Sequence, residues 1–306
     1  MASRFAGGLG ITLIALGLLG CHDEEVEFQS NDCKKQPAFI PSVGFNPSRT
    51  AYSTSEKKIK GLILMEINAP GDTSQGGRKV YQHPSWQMGG WLGPLQVDPD
   101  GNAYVASIPV VNVLDNPPHK QNHIYRVDGQ TGVMEAFMTL PIPEAIPPEN
   151  PYGVLGFAYR CEGDILYVSS VMGSTRQQER GCIYAVDTKS KKVIDVLKNI
   201  DALGLGISYI SGKRVLYFGL ARQPEIWQIV LDQSGSFVGK PTMALSLEGL
   251  GPRGDDKARR IRFDKNNNMI VSAVEFNFNL TAPTEKQESI FQFLYSEETH
   301  TFVAKY

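Results

Sequence analysis

The chain has 306 residues, is 42% hydrophobic and carries a formal net charge of −2, from 30 Lys and Arg against 32 Asp and Glu. This balance, without a long run of basic residues, argues against a nucleic-acid-binding surface and against electrostatic attachment to anionic lipid. The length is sufficient for a large core and falls within the range of one big all-β domain.

The N-terminal 21 residues combine one positive charge, an uncharged apolar run and a cysteine at its end. Arg4 precedes the uncharged, mostly apolar run Phe5–Gly20, which is short for a membrane-spanning helix of about 20 residues. The run leads into Leu18-Leu19-Gly20-Cys21, which resembles a lipobox, the motif whose cysteine is acylated and becomes the new N-terminus. We therefore predict a signal peptide at 1–20 and lipidation, including palmitate, at Cys21. An ordinary signal peptide that ends by chance in a cysteine is the alternative.

The lipobox resemblance also implies a location. We expect the protein to be exported and lipid-anchored, and stably so, because a lipidated cysteine carries several acyl chains. His22 stands where an aspartate would resemble an inner-membrane retention signal, which favours the outer membrane, facing the periplasm or the cell surface. Residues 21–37 comprise the lipidated cysteine and a polar, aperiodic stretch, which we interpret as a tether.

Three cysteines remain after Cys21, and an exported compartment permits a disulfide among them. Cys33 lies in the polar tether and Cys161 at a predicted hairpin tip, so these two are the favoured pair. Cys182 lies within a strand pattern and is predicted to be a small buried residue.

Residues 38–306 show the pattern of repeated β-strands. Each unit has a strand, a tight turn such as Asp98-Pro99-Asp100-Gly101-Asn102, a second strand, and a third strand beginning with Ile and an aromatic residue. Four clear copies begin at Gly93, Gly156, Gly206 and Ile261, and a less regular leading copy begins at Val43. Stacking such four-stranded units around an axis buries both faces of each sheet. We predict a β-propeller of five blades, with six blades as the alternative.

At these repeats the chain resembles the superfamily of NHL-repeat proteins, the gluconolactonase and regucalcin (SMP-30) group, and the yellow and major royal jelly proteins. The resemblance implies a propeller, and most members have six blades. The last predicted strand, Thr301–Lys305, lies at the C-terminus. The ring could therefore close by simple packing or by pairing with an N-terminal strand.

The long loops of a propeller with this pattern fall on one face, which we predict to be a binding surface. Aromatic side chains there can stack on sugars, steroids or peptide side chains, and arginines can bind carboxylates or phosphates. Tolerated insertions, or tryptophans packed between blades, would give the same pattern. The candidate residues are Trp86, Trp91, Tyr152, Arg176, Arg222, Arg253 and Glu275.

The resemblance to gluconolactonases also implies a metal-dependent hydrolase, which needs oxygen ligands at the channel mouth. The family's Asp after the second strand is replaced here, and Leu205 stands where its Asn would be. The replacing residues are Ser107, Ser170, Leu220 and Ala273. Asp255, Asp256 and Glu275 remain as candidate ligands for a divalent cation such as Ca²⁺, but we predict no cofactor. The sequence contains no Gly-x-Ser-x-Gly elbow, Walker loop or dinucleotide fingerprint.

These observations favour a membrane-anchored extracytoplasmic propeller that binds a small molecule or an envelope protein, without nucleic acid and without catalysis. The alternative is a lactonase or esterase type of hydrolase whose metal site has departed from the family pattern. A third interpretation is a docking platform in an envelope assembly. The fold alone does not decide among these functions.

Overall fold

The computed structural model of the chain describes residues 33–56, 58–67, 79–109, 117–278 and 288–305. Residues 1–32, which include the predicted signal peptide, the predicted lipidation site Cys21 and most of the predicted tether, lie outside the described residues. The described chain forms five antiparallel sheets in sequence order, so the predicted all-β propeller is confirmed. Four short 3₁₀ segments precede or connect the described strands, at Ile40–Val43, Pro47–Arg49, Pro84–Gln87 and Pro118–Lys120.

The five sheets are named blades 1 to 5, and their strands β1 to β19 are numbered in chain order. Blade 1 contains β1 (Thr50–Ser53), β2 (Ile63–Glu66) and β3 (Lys79–Tyr81). Blade 2 contains β4 (Leu92–Val97), β5 (Ala103–Ser107), β6 (His123–Val127) and β7 (Met134–Thr139). Blade 3 contains β8 (Val154–Arg160), β9 (Ile165–Ser170), β10 (Cys182–Asp187) and β11 (Lys192–Lys198).

Blade 4 contains β12 (Ala202–Ile210), β13 (Lys213–Leu220), β14 (Glu225–Leu231) and β15 (Phe237–Ser246). Blade 5 contains β16 (Lys257–Phe263), β17 (Met269–Val274), β18 (Ser289–Ser296) and β19 (Thr301–Ala304). Strands β4, β8, β12 and β16 are the inner strands, and they run from the loop-rich face of the propeller to the opposite face, here called the hairpin face.

Apolar side chains between consecutive blades form the core. One hydrophobic cluster joins blades 1 and 2, and three more join blades 2 and 3, 3 and 4, and 4 and 5. Large side chains such as Tyr167, Tyr217 and Phe218 are almost fully buried in these clusters, and burial of a side chain of this size contributes about 1.5–3 kcal/mol. The Ile-aromatic third strand noted in the sequence supplies part of this bulk, through Tyr125 and Tyr184.

Tight turns on the hairpin face are held by aspartates. Asp98 Oδ1 accepts hydrogen bonds from the backbone N–H groups of Asp100 and Asn102, at 2.9 and 2.8 Å. Asp264 Oδ1 accepts the same pair of bonds from Asn266 and Asn268 in blade 5. The repeated turn therefore has a local cause, because an Asp side chain can satisfy N–H groups that the hairpin leaves unpaired.

The inner strand of each four-stranded blade has a β-bulge near the loop-rich face. The register against the second strand slips by one residue between Leu92 and Leu95, and the other three inner strands slip at the same level. Neighbouring inner strands also approach closely, since a Cβ at Gly156 would overlap the backbone carbonyl oxygen of Leu203. Glycine at this position therefore allows the centre of the ring to close between blades 3 and 4.

Blade 1 differs from the predicted four-stranded unit, because the described residues form three strands there. The stretch Val43–Pro47, predicted as its first strand, lies instead in and between two 3₁₀ segments. Pro41 and Pro47 explain the difference, because proline cannot donate to a strand ladder and favours the first turn of a helix. Strand β1 is therefore an edge strand that pairs with β2 on one side.

Residues 33–39 form a strap across the hairpin face. Cys33 is joined by a disulfide to Cys161, in the β8–β9 hairpin of blade 3, with a Cα–Cα distance of 5.9 Å. Ala38 N–H then donates to the Gly129 carbonyl oxygen of blade 2 at 2.7 Å. Residues 33–37, interpreted from the sequence as the end of a tether, are thus fastened to the propeller. Cys182 has a free thiol and is only partly buried.

The two ends of the blade series leave sheet faces uncovered. Strand β19 completes blade 5 by pairing with β18, so the C-terminal strand does not pair with an N-terminal one in the described structure. Within the described residues, no hydrophobic cluster joins blade 5 to blade 1. Instead Ile290 of blade 5 is 72% exposed and Ile67, next to blade 1, is 64% exposed.

Candidate binding face

The loop-rich face is capped near its centre by an apolar cluster. Its buried members are Val171, Leu203, Ala221 and Phe278, and Tyr152, Leu155 and Phe276 pack against them. The Tyr152 and Phe276 rings lie 5.3 Å apart between centroids. Loops from three blades meet in this cluster, so it fixes their positions relative to one another.

A buried carboxylate organises the loop between β9 and β10. Asp201, fully buried directly before β12, accepts hydrogen bonds from Gly181 N–H at 2.9 Å and from the Ser174 hydroxyl. Arg222 forms the ion pair, with Nη2 at 2.7 Å from Asp201 Oδ2. Arg222 also donates to the carbonyl oxygens of Thr175, Arg176 and Gln178. This guanidinium therefore ties the loop to blade 4.

A second clamp of the same kind stands at blade 5. Asp256 is fully buried directly before β16, and Arg253 binds both of its carboxylate oxygens, at 2.5 and 2.7 Å. The Ser289 hydroxyl donates to Asp256 Oδ2 at 2.6 Å. Burial alone raises the pKa of Asp256, but the bonds from Arg253 and Ser289 outweigh it and hold that pKa below the ordinary value of 3.8.

A groove of about 300 Å³ opens beside this second clamp. It offers a cation from Arg253, a carboxylate from Glu288 and an exposed apolar side chain from Ile290. Arg259 Nη1 lies 3.3 Å from Glu288 Oε1 and adds a second positive charge next to the groove. The groove thus combines apolar and charged groups. The lining residues are Gly251, Pro252, Arg253, Glu288, Ser289, Ile290 and Phe291.

The assignment of Trp86 to the binding face was wrong. Its side chain is 0% exposed in the core between blades 1 and 2. The rings of Phe39, Tyr52 and Tyr81 contact it edge-on, and its Nε1 donates to the Gly132 carbonyl oxygen at 2.7 Å. The indole ring has a large apolar surface, and burying it in this core is more favourable than exposing it to water. This explains why Trp86 lies between the blades.

The other candidates lie on the predicted face in different roles. Arg176 and Glu275 are exposed, while Trp91 and Tyr152 are partly buried. Tyr152 packs in the central cluster, and burial raises the pKa of its hydroxyl. Arg222 and Arg253 hold carboxylates of their own chain, so their first role is to fix loops. The structure therefore does not gather the seven candidates into one pocket.

The candidate metal ligands are largely engaged by cations of the chain. Asp256 is bound by Arg253, and Asp255 Oδ2 lies 3.0 Å from Lys257 Nζ. In the described ranges, no group of three or more His, Cys, Asp and Glu residues is arranged to hold a metal ion. Ser170, at one family Asp position, donates to Asn122 Oδ1 at 2.6 Å. These residues do not fit the metal site that the family resemblance implies.

Basic residues on the inner strand of blade 5 were not singled out from the sequence. Arg259, Arg260 and Arg262 are exposed on β16, whereas the inner strands β8 and β12 are almost entirely buried. The sequence Ala258-Arg259-Arg260-Ile261-Arg262 could have indicated an exposed strand. The matching strands of the other repeats are apolar or glycine-rich, whereas this one carries three arginines. We treat these arginines as part of the candidate functional surface.

No helix in the described ranges is both long and apolar enough to span a bilayer. No protein-family model matches the chain, and no curated protein matches it.

Similar solved structures share the fold at low sequence identity. A candidate 6-phosphogluconolactonase from Bacteroides uniformis aligns with a TM-score of 0.51 and 11% identity, over 83% of this chain and 66% of that chain. About one third of that neighbour therefore has no counterpart here. A calcium-binding regucalcin from Agrobacterium tumefaciens aligns with a TM-score of 0.48 and 14% identity, over 90% of this chain and 76% of that chain.

The endo-arabinase of Bacteroides thetaiotaomicron aligns with a TM-score of 0.42 and 12% identity, over 70% of this chain and 78% of that chain. Identities this low show the propeller fold alone, and that fold carries many unrelated functions.

Proposed function

We propose that this protein is a membrane-anchored, extracytoplasmic binding module whose loop-rich face receives a small molecule or an envelope protein. The observation that carries the proposal is the groove beside Arg253. It combines an exposed apolar side chain, Ile290, with charged groups of both signs, and the neighbouring loop is held by the Arg253–Asp256 clamp. A surface fixed in advance loses less conformational entropy when a partner binds.

Binding at the groove can be tested by site-specific photo-crosslinking in cells. A benzophenone amino acid replaces Ile290 in the groove, and a control variant carries it at Ile194, an exposed residue of β11 that is 40% accessible. We expect a discrete adduct from position 290 that is absent from position 194. Equal labelling at both positions, or no adduct at position 290 together with no small-molecule thermal shift, would contradict the proposal.

Anchoring is tested separately, because it rests on the lipobox resemblance alone. The wild-type protein should incorporate labelled palmitate and partition into the detergent phase. The Cys21→Ala variant should remain an unlipidated precursor or a soluble product. A wild-type protein without label would show that residues 1–21 do not form a lipoprotein signal.

Thermal melts with Ca²⁺, Mg²⁺, Mn²⁺ and Zn²⁺ distinguish the binding module from the alternative, a hydrolase with a relocated metal site. A bound cation at about 100 times its Kd stabilises the folded state by about 2.7 kcal/mol. We expect no saturable rise in melting temperature. A rise with one cation that disappears in Glu275→Ala would favour the hydrolase over the binding module.

A further inference from the structure

A β-bulge turns two neighbouring arginines of β16 to the same side of the strand. The register against β17 shifts between Ala258 and Arg260, so Arg259 is the extra residue of the bulge. Ala258 and Ile261 are buried in the core between blades 4 and 5, whereas the two arginines between them are exposed. In a regular strand, consecutive side chains would face opposite sides. The bulge therefore directs two guanidinium groups away from the core, and bulges next to functional sites re-aim side chains in this way.

The backbone of this bulge is held in place by the neighbouring blade. A Cβ at Gly204 of β12 would lie 2.5 Å from the carbonyl carbon and oxygen of Arg259. Glycine at this position therefore allows β12 and β16 to approach each other closely. The two arginines project from a packed inner strand rather than from a loop, and such a strand holds binding groups in a fixed geometry.

Arg259 lies in a concave part of the loop-rich face. Its side chain is 45% exposed, yet desolvation by the surrounding protein is the main influence on its pKa and lowers it. Exposure together with desolvation indicates a solvent-filled recess, which is the usual shape of a small-molecule site. Burial raises the pKa of the Tyr152 hydroxyl and the charge of Arg259 partly offsets this effect, so an aromatic residue of the central cluster lies within electrostatic range.

Positive charge is in excess in this recess. After desolvation, the charge of Arg260 is the next cause that lowers the pKa of Arg259, because the two cations repel each other. Glu288 is the carboxylate that pairs with Arg259. Among the described residues, Arg260 has no ion-pair partner. A further anion would therefore be attracted to the recess.

Glu288 indicates which chemical group the recess accepts. The hydrogen bond from Arg259 Nη1 to Glu288 Oε1 is long, at 3.3 Å, and partly exposed ion pairs of this kind contribute little to stability. A ligand carboxylate can bind a guanidinium through two parallel hydrogen bonds, which are stronger than one long bond. Such a ligand can bind Arg260 and replace Glu288 at Arg259.

We propose that Arg259 and Arg260 form a binding site for a small carboxylate ligand, and that Glu288 competes with this ligand for Arg259. The concave shape favours a small molecule over a protein surface. The nearby ring of Tyr152 favours a carboxylate that is attached to a ring, either a sugar acid or an aromatic acid. The inference rests on the proposed function and deepens it, because it names the ligand class of the same loop-rich face.

The first experiment is a calorimetric titration of the detergent-solubilised full-length protein with sodium glucuronate, sodium benzoate and, as a neutral control, glucose. We expect saturable binding of one of the two carboxylates and none of glucose, and the carboxylate that binds distinguishes a sugar acid from an aromatic acid. No saturable binding of either carboxylate, or equal binding of glucose, would overturn the proposal. A discrete protein adduct at position 290 without carboxylate binding would reject this ligand class and leave the proposed binding face standing.

The second experiment assigns the binding to the two arginines. Arg260→Gln should raise the Kd of the carboxylate about tenfold or more, because it removes charge-assisted hydrogen bonds. Arg262→Gln, exposed on the same strand, is the matched control and should leave the Kd nearly unchanged. Equal weakening by both substitutions would show attraction to general positive charge and would contradict the proposal.

The third experiment tests the competition by Glu288. Glu288→Gln removes the internal carboxylate and should lower the Kd of the ligand. Since this variant is expected to bind more tightly, its result cannot be produced by a loss of stability. An unchanged or raised Kd would show that Glu288 does not occupy the ligand's place.

Discussion

At the scale of single residues, Trp86 shows how a loop position in the sequence can hold a core role in the fold. Its ring contacts Phe39 of the strap, Tyr52 of β1 and Tyr81 of β3, and Phe39 lies 47 positions earlier in the sequence. Trp86→Ala should lower the free energy of unfolding by about 3–5 kcal/mol, the range for removing a buried aromatic side chain. Chemical denaturation measures this loss, and Trp91→Ala, which is partly exposed, should cost less. If both variants lost equally little free energy of unfolding, Trp86 would not be part of the core between blades 1 and 2.

The sequence could not reveal this role, because the contacts of Trp86 depend on how blade 1 is built. An aromatic residue between two predicted strands is equally compatible with a binding loop and with inter-blade packing. The identity of its neighbours, Phe39 above all, follows from the strap across the hairpin face. Long-range placement of this kind is not encoded in local strand and turn patterns.

Asp256 should make the stability of the folded protein fall as the pH is lowered. Its pKa in the folded protein lies below 3.8, so its contribution to stability is fully present above the unfolded pKa of about 3.9 and is lost as the pH falls through the folded value. The denaturant midpoint of the wild type should therefore approach that of Asp256→Asn below about pH 4. Asp255→Asn, whose carboxylate is exposed, serves as the control. A wild-type advantage that persists unchanged to pH 2.5 would contradict this assignment.

At the scale of elements, the loop between β9 and β10 depends on one guanidinium. Arg222→Ala removes the bonds to three loop carbonyls and leaves Asp201 buried without its cation. Hydrogen bonds to charged groups contribute about 1.5–3 kcal/mol each. Amide exchange at residues 175–181 should therefore accelerate about tenfold or more. Arg176→Ala changes an exposed side chain of the same loop and should leave exchange nearly unchanged; equal acceleration in both variants would refute the clamp.

Blades 2 to 5 were predictable as elements because each carries its own turn chemistry. The Asp-to-Asn turns at Asp98 and Asp264, and the Ile-aromatic strands, are local signals that the structure confirms. Blade 1 was not predictable in the same way. Its leading copy has the apolar spacing of a strand, but Pro41 and Pro47 direct it into 3₁₀ turns. The candidate face could be predicted from loop lengths, whereas its clamps required knowing which Arg meets which Asp.

At the scale of the whole molecule, the disulfide closes a loop with a sequence separation of 128. The chain-entropy model gives about 5 kcal/mol of stabilisation for a loop of this length. Cys33→Ser with Cys161→Ser should lower the denaturant midpoint correspondingly, and a reducing agent should have the same effect on the wild type. Cys182→Ser, which removes the free thiol, should have little effect. A double variant as stable as the wild type would show that the strap is held by its backbone contacts alone.

The strap also determines where a mechanical load enters the fold. Tension applied from the N-terminal side passes through Cys33 into Cys161, in the middle blade, because the covalent bond there is stiffer than the hydrogen bonds that follow it. The segment from Ala38 to β1 then carries almost no force. While the disulfide is intact, pulling on the N-terminus should load blade 3 first and leave blades 1 and 2 folded; once it is reduced, the same pull should peel the 3₁₀ segments and blade 1 away before any other part of the molecule.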